Sequence, residues 1–321
     1  MAKLDTGLFI RIAKKYYELN LDQEQIAKSE NLSKSTISRM IRKAKELGYV
    51  SIQVNFPLES IVELEEKIKA LFPIQSVSVC PSYVDDYLLR TRDTCKMVAR
   101  DISGLVHDDE IIGVSWGRTM DSVASCLVSP NPPKRNVKVV QMQGALIKNI
   151  ASAKVYTVVE RFSDAFFGTG YLLPAPVFVD SKELASAFMQ DSSIRFALDL
   201  ASHAELAVFG IGAVSSKSIL IDRGIYSPEQ YDTIVDDGVV GDICSNYFDI
   251  HGKPVLTNLM DRTISIKMDE LKRKKHRIGV GVGEHKIKAI IGALNSGAMT
   301  SLYIDEITAR EMLRQYDNMI L

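Results

Sequence analysis

Ser115, Gly117, Arg118 and Thr119 close the run Ile111-Ile-Gly-Val-Ser-Trp-Gly-Arg-Thr119, where a β-rich stretch passes into a helix. Hydroxyls, a glycine and the unpaired N–H groups of a helix start make a site for an anion, and the Arg118 guanidinium adds charge to it. Three further glycine-containing loops sit at comparable places. Gln141-Met-Gln143-Gly144 follows the next strand. Gly281-Val-Gly-Glu-His-Lys286 again joins strand to helix and offers Lys286 as a point charge for phosphate. Asp236-Asp-Gly-Val-Val-Gly-Asp242 brings carboxylates able to accept hydrogen bonds from hydroxyl groups. Taken singly, each is ordinary turn chemistry. Together they describe a phosphate-plus-polyol pocket at the C-terminal edge of one sheet. Asp236 and Asp237 admit a reading as a catalytic pair, but sequence neighbours in a loop point apart, so a solvated turn is expected instead. Of the five histidines only His285 lies in such a loop, and no catalytic triad can be assembled.

A second constellation lies near the N-terminus. Residues 22–43 read as two helices joined by a short turn, the pattern of a helix-turn-helix. Ile26, Ala27, Leu32, Ile37 and Ile41 fall where the helices must pack. Ser33, Lys34, Ser35, Thr36, Ser38, Arg39 and Arg42 remain for the outer face. A helix N-terminus with short hydroxyls donates to phosphate, and Arg39 and Arg42, one turn apart, can reach a guanine edge or the backbone. A solvated basic face of an ordinary three-helix module is the bland alternative.

The elements that must position these residues follow from periodicity. Leu8, Ile12, Tyr16 and Leu19 mark a first helix that Asn20-Leu21 breaks. Asp22 with Gln25 forms a capping box for a second, and Ser33 caps a third that runs from Lys34 to Leu47 and ends at Gly48. Residues 49–54 alternate as a short strand. Leu58, Ile61, Leu64, Ile68 and Leu71 predict a helix with one narrow apolar seam, either packed in a domain or joining two bodies. Beyond residue 75, Val- and Ile-rich strands alternate with helices, which indicates a parallel sheet covered on both faces. A hairpin within residues 238–265 is expected to turn at Asp249-Ile-His-Gly-Lys253. The expected architecture is therefore α/β: an all-α helix-turn-helix domain (1–55), a linker helix (56–74) and a larger Rossmann-like α/β domain (75–321).

Composition bounds the functions. The chain has 321 residues, 46% apolar and 25% charged, with 39 Lys/Arg against 40 Asp/Glu. That near-balance argues against indiscriminate nucleic-acid binding. Its distribution is uneven: residues 1–50 hold ten basic and six acidic residues, net +4, which leaves −5 for the remainder. No apolar run nears the roughly 18 residues of a membrane span, no secretory core follows Met1, and four scattered cysteines suggest reduced thiols in the cytoplasm. There is no Walker A motif, metal-ligand spacing or cofactor motif. No catalytic set, metal site or cofactor is expected.

The segments Ser-Lys-Ser-Thr-Ile-Ser-Arg39, Gly-Val-Ser-Trp-Gly-Arg-Thr119, Val-Val-Gln-Met-Gln-Gly144, Val-Gly-Asp-Ile-Cys244, Asp-Arg-Thr-Ile264 and Lys286-x-x-Ala-Ile-x-Gly-Ala-Leu294 occur in this order. They resemble the SorC family of bacterial sugar-responsive transcriptional regulators over nearly the whole chain. The resemblance implies a phosphosugar-binding domain related to sugar-phosphate isomerases and deaminases, its catalysis lost and its pocket kept for sensing. It implies tetramers, as dimers of dimers, on operator DNA, with the effector altering DNA affinity. By matching position it gives Ser115, Gly117, Arg118 and Thr119 to phosphate or sugar, Gln143 and Gly144 to the pocket lining, Asp242 to sugar hydroxyls and Lys286 to phosphate. One departure stands out: a branch of the family carries, where Gln143 stands, a lysine that forms a Schiff base with its sugar phosphate. Gln143 has no amine, so covalent capture at this position is excluded. A sugar-phosphate isomerase with an appended DNA-binding module is the competing expectation.

Overall fold

The computed structural model describes residues 6–50, 61–145, 154–214, 227, 238–255 and 258–320. The chain divides into two compact units, Met1–Pro57 and Leu58–Leu321.

The described residues of the first unit form three helices, α1 (Thr6–Tyr17), α2 (Gln23–Glu30) and α3 (Lys34–Glu46). The Asp22 carboxylate accepts the N–H groups of Glu24 and Gln25 at 2.8 Å each, while the Gln25 side chain accepts the Asp22 N–H at 2.9 Å, so the expected capping box is present. Asn31 takes the left-handed conformation (φ 55°) that ends α2, and the Ser33 hydroxyl accepts the Thr36 N–H to start α3. Gly48 (φ 77°) follows the last turn of α3. Ile12, Ile26, Ala27, Ile37 and Ile41 form the core. Leu19 lies outside it, because α1 ends at Tyr17 before the seam reaches it. The strand expected at 49–54 falls largely outside the described residues.

Glu30 ties α2 to α1: Lys15 Nζ lies 2.6 Å and Arg11 Nη2 3.0 Å from its carboxylate. Those hydrogen bonds, Arg11 first, hold its pKa down at about 2. A carboxylate with a depressed folded pKa stabilises fully above its unfolded value and loses that contribution as pH falls through the folded one. The Glu30 contribution is therefore expected to vanish between about pH 4.5 and pH 2. Glu30→Ala should cost about 1 kcal/mol at pH 7 and flatten acid unfolding of the three-helix unit in that window, as followed by circular dichroism.

The second unit is built on seven parallel strands: β1 (Ser76–Cys80), β2 (Ile111–Val114), β3 (Lys138–Gln141), β4 (Thr169–Tyr171), β5 (Leu206–Gly210), β9 (His276–Gly281) and β10 (Ser301–Asp305), in the order β1-β10-β9-β5-β2-β3-β4. The short strands β6 (Gly212–Ala213), β7 (Gly241–Ile243) and β8 (Asn246–Phe248) form a separate antiparallel sheet. Alternation along β5 shows how both faces of the main sheet are covered. Ala207 and Phe209 join the cluster with the helices Ile287–Asn295 and Glu306–Ile320. Leu206 and Val208 join the opposite cluster with α5 (Tyr87–Leu105), α6 (Arg118–Cys126) and α7 (Lys154–Phe166), where α4 denotes Val62–Leu71. From β2 the chain moves outward through β3 to β4, whereas from β5 it moves the other way through β9 to β10. The order reverses between β2 and β5, and such switch points open a crevice beyond the carboxyl ends of the strands.

One expectation needs correction. The helix expected as a linker belongs to the second unit: Leu64, Ile68 and Phe72 are buried with Val77 and Val79 of β1, and Phe72 meets Tyr316 at 4.8 Å between ring centroids. The hairpin expected at Asp249–Lys253 is present, and a tighter turn that was not expected precedes it, between β7 and β8, at Cys244 and Ser245. Both residues have positive φ (49° and 61°), the geometry that Asn-Gly or Asp-Gly usually fills. Here Asn246 steadies the turn by donating to the carbonyls of Ile243, Cys244 and Ile266. Asp249–Lys253 also turns, with the Gly252 N–H donating to Asp249 O at 3.0 Å, and leads to a single bridge between Phe248 and Pro254. Among the described residues no helix is long and apolar enough to cross a membrane.

Candidate functional site

A cleft of about 170 Å³ lies beyond the carboxyl ends of β2, β3, β5 and β9. Seven of the eight pocket residues expected from the sequence line it: Ser115, Gly117, Arg118, Thr119, Gln143, Asp242 and Lys286.

One end of the cleft is cationic. Gly117 (φ 128°) is the N-cap of α6 and has no side chain to cap it, so among the described residues the start of α6 has no side-chain cap. Ser115 is buried beneath them, its hydroxyl accepting the Gly210 N–H at 3.4 Å. Arg118 is exposed and has no ion-pair partner among the described residues. The Lys286 amine donates to Ile211 O at 3.0 Å and lies 3.5 Å from Thr119 Oγ1. Burial pushes its pKa down to about 8, the Arg118 charge pushes the same way, and Asp242 and Cys95 pull partly back. An amine so placed is charged at neutral pH and under-solvated, which favours an incoming anion.

The other end accepts hydrogen bonds. Asp242 in β7 takes the Ser245 N–H at 3.0 Å. Burial raises the pKa of its carboxyl, opposed by that hydrogen bond and by the Lys286 charge. Gln143 is buried, and its Oε1 has no hydrogen-bond partner among the described residues. A buried acceptor left so costs about 1–3 kcal/mol, and a hydroxyl or amine donor entering the cleft would remove that cost. Gln141 braces this loop by donating through Nε2 to Gln143 O at 2.5 Å.

The eighth residue, Gly144, stands behind the cleft instead of lining it. Its N–H donates to Ile264 O at 2.9 Å and its carbonyl accepts Trp116 Nε1 at 2.8 Å. A Cβ there would come within 2.6 Å of the Pro176 backbone. Its glycine character thus serves backbone packing. Asp236 and Asp237 lie outside the described residues.

Sequence reasoning missed the floor and walls. Gly210, Ile211 and Gly212 continue β5 into the cleft, and Phe178 and Tyr247 supply apolar and aromatic surface. Gly212 is required by close approach, since a Cβ would overlap the Asp242 carboxylate. Two glycines two residues apart at a strand end were the available signal. Phe178 gave none, because it reaches the cleft from an isolated bridge to Thr263.

In the first unit, Ser33, Lys34, Ser35, Ser38, Arg39 and Arg42 are exposed along α3 and Thr36 is half-buried. The Ser33 hydroxyl also lies 2.9 Å from Ser35 Oγ and 2.8 Å from Thr36 Oγ1. Arg42 Nε is 3.9 Å from Glu46, while Arg39 has no such partner among the described residues.

The family described as "Putative sugar-binding domain" matches residues 57–314. The chain is 32% identical to the deoxyribonucleoside regulator of Bacillus subtilis (strain 168), over 95% of this chain and 97% of that one. It is 28% identical to the sorbitol operon regulator of Klebsiella pneumoniae, over 97% and 98%. The crystal structure of that full-length regulator, SorC, superimposes with a TM-score of 0.74 at 27% identity, covering 97% of this chain and 99% of that one. These relatives are named as regulators, not as enzymes. With the sugar-binding domain matched through most of its length and these relatives spanning nearly all of it, the chain belongs to the SorC family of sugar-binding transcriptional regulators.

Proposed function

We propose that the chain is a sequence-specific DNA-binding regulator of a carbohydrate-utilisation operon, its DNA affinity set by a phosphorylated sugar or polyol held non-covalently in the cleft. The observation that carries this reading is the polarity of the cleft: the Lys286 amine and the uncapped start of α6 at one end, Gln143 and Asp242 at the other. A phosphate suits the first end and hydroxyl groups the second. The absence of an amine at Gln143 supports reversible binding. In this reading α2 and α3 are a helix-turn-helix, with Ser33, Lys34, Ser35, Thr36, Ser38, Arg39 and Arg42 facing DNA. The solvent-facing hydroxyls and guanidiniums of α3 support it. The protein acts in the cytoplasm as a homo-oligomer, a dimer of dimers on paired half-sites. The effector stabilises one arrangement of subunits over another. The α/β unit retains the pocket of a sugar-phosphate isomerase ancestor without its chemistry.

A thermal-shift screen of phosphosugars and phosphopolyols against their unphosphorylated counterparts tests the effector. A ligand at a hundredfold excess over its Kd adds about 2.7 kcal/mol, or roughly 5–10 °C for a unit of this size. The active compound is also expected to change the emission of Trp116, the single tryptophan, which lines the cleft. A full panel without a shift would refute the effector reading, and turnover of the binding compound would replace it with the enzyme.

A further inference from the structure

The wall behind Lys286 is held by an ionic knot lying outside the cleft. Arg90, on α5, is buried, and its Nη1 donates to Asp305 at the end of β10 at 2.8 Å. Its Nη2 donates to Glu284 at 3.2 Å, on the turn that carries Lys286. Asp305 in turn accepts Thr308 N–H at 3.2 Å and Gly283 N–H at 3.4 Å, and Gly283 also donates to Thr308 Oγ1 at 2.8 Å. Gly283 itself has φ 102°, and a Cβ there would come within 2.8 Å of both the His285 and the Tyr87 rings. The turn has no slack on this side.

We propose that Arg90 is a positioning residue of the effector site: its guanidinium spans Asp305 and Glu284, clamps the Gly283–Lys286 turn, and thereby fixes where the Lys286 amine stands in the cleft. The two ends of the clamp are unequal. Asp305 is 1% exposed and Glu284 45% exposed, so the Asp305 end is a permanent anchor and the Glu284 end is separable. The same helix reaches the other half of the anion site, since Cys95 Sγ lies 3.8 Å from Thr119 O. α5 therefore holds both cationic elements in one register. The value of this register for an effector rests on the function proposed above; the clamp itself does not.

Arg90→Ala is a poor test, because it strands the Asp305 carboxylate and threatens the fold. Arg90→Lys keeps one charge on Asp305 but cannot fork to Glu284, and Glu284→Ala removes the link to the turn while leaving Asp305 and the exposed Asp85, 3.6 Å from Nη2, in place. The readout is the pH dependence of Lys286 acetylation by acetic anhydride in the full chain, followed by peptide mass spectrometry with no ligand added. The groups facing the amine are Arg118 and Thr119 of α6, Ile211 O beyond β5, Asp242 of β7 and Cys95 of α5. In the parent chain the midpoint is expected near pH 8. In both variants the released turn hydrates the amine, and the midpoint should rise by a unit or more toward the roughly 10.4 of free lysine, with melting temperature nearly unchanged. An unmoved midpoint in both variants overturns the clamp, and so does a fall in melting temperature without a shifted midpoint. Because no effector is used, a chain that binds no phosphosugar but shows the shift refutes only the effector reading.

Discussion

Lys286→Ala is expected to weaken effector binding about 10- to 100-fold while leaving the protein folded. A hydrogen bond to an ionised group contributes about 1.5–3 kcal/mol, and here the amine is desolvated beside Ile211 O and Thr119 with Arg118 nearby. The fold should survive, because the desolvated amine carries a cost at neutral pH that offsets its attraction to Asp242. Its pKa in the folded chain, about 8, lies below that of an exposed lysine. Between pH 8 and roughly 10.4 the unfolded chain therefore binds more protons, and stability rises with pH through that window. Removing the amine removes this penalty at neutral pH but also the charge beside Asp242 and the donor to Ile211 O, so the unliganded variant should melt at about the same temperature. The same ionisation fixes the pH dependence of binding: an anionic effector should bind the parent chain progressively less well above about pH 8. Isothermal titration across pH 6.5–9.5 checks the affinity and its pH dependence, and thermal unfolding of the unliganded variant checks the fold. A variant that binds as tightly as the parent would remove Lys286 from the site.

Arg39→Ala and Arg42→Ala carry the second large effect. Each is expected to weaken operator binding by about 1–3 kcal/mol if it reads a base edge. Arg39 should cost more, because it has no ion-pair partner among the described residues while Arg42 already leans on Glu46 at 3.9 Å. The pattern of loss separates two roles. An arginine on a guanine edge relaxes specificity at one position of the site. An arginine on a phosphate weakens all sequences alike and lowers the salt dependence by about one counterion per half-site. Effector binding, measured by Trp116 emission, should be untouched in both variants. Unchanged DNA affinity in both would take α3 out of the interface.

What could be read from residues alone divides along physical lines. The capping box of Asp22 and Gln25, the cap of Ser33 and the stop at Gly48 are local, and each was legible because a few neighbouring side chains decide it. The strand-to-helix loops at Ser115–Thr119 and Gly281–Lys286 were legible for the same reason, and the parallel order brings their ends together. Three features were not. The β7–β8 turn is made by Cys244 and Ser245, residues without a turn signature, and depends on Asn246 bonding to a carbonyl twenty residues away. Gly144 and Gly212 look alike in sequence, yet one packs against Pro176 and the other gives room to Asp242, which tertiary approach alone decides. The helix Val62–Leu71 shows a narrow seam that suits either a linker or a packed helix, and burial of Leu64, Ile68 and Phe72 on β1 distinguishes them. Charge distribution was more informative than total charge. A net −1 conceals a +4 segment within residues 1–50, which suits a few specific contacts and not a coating of basic charge.

The central claim is that the cleft controls DNA affinity. It is tested most directly by fluorescence anisotropy of the full chain on labelled DNA from upstream of its own coding sequence, with and without the phosphorylated compound that raises its melting temperature. The expected result is a change in DNA affinity of at least tenfold, a coupling free energy of about 1.4 kcal/mol, that Lys286→Ala abolishes while binding DNA normally in the absence of sugar. A compound that binds the cleft and leaves DNA affinity unchanged would contradict the account.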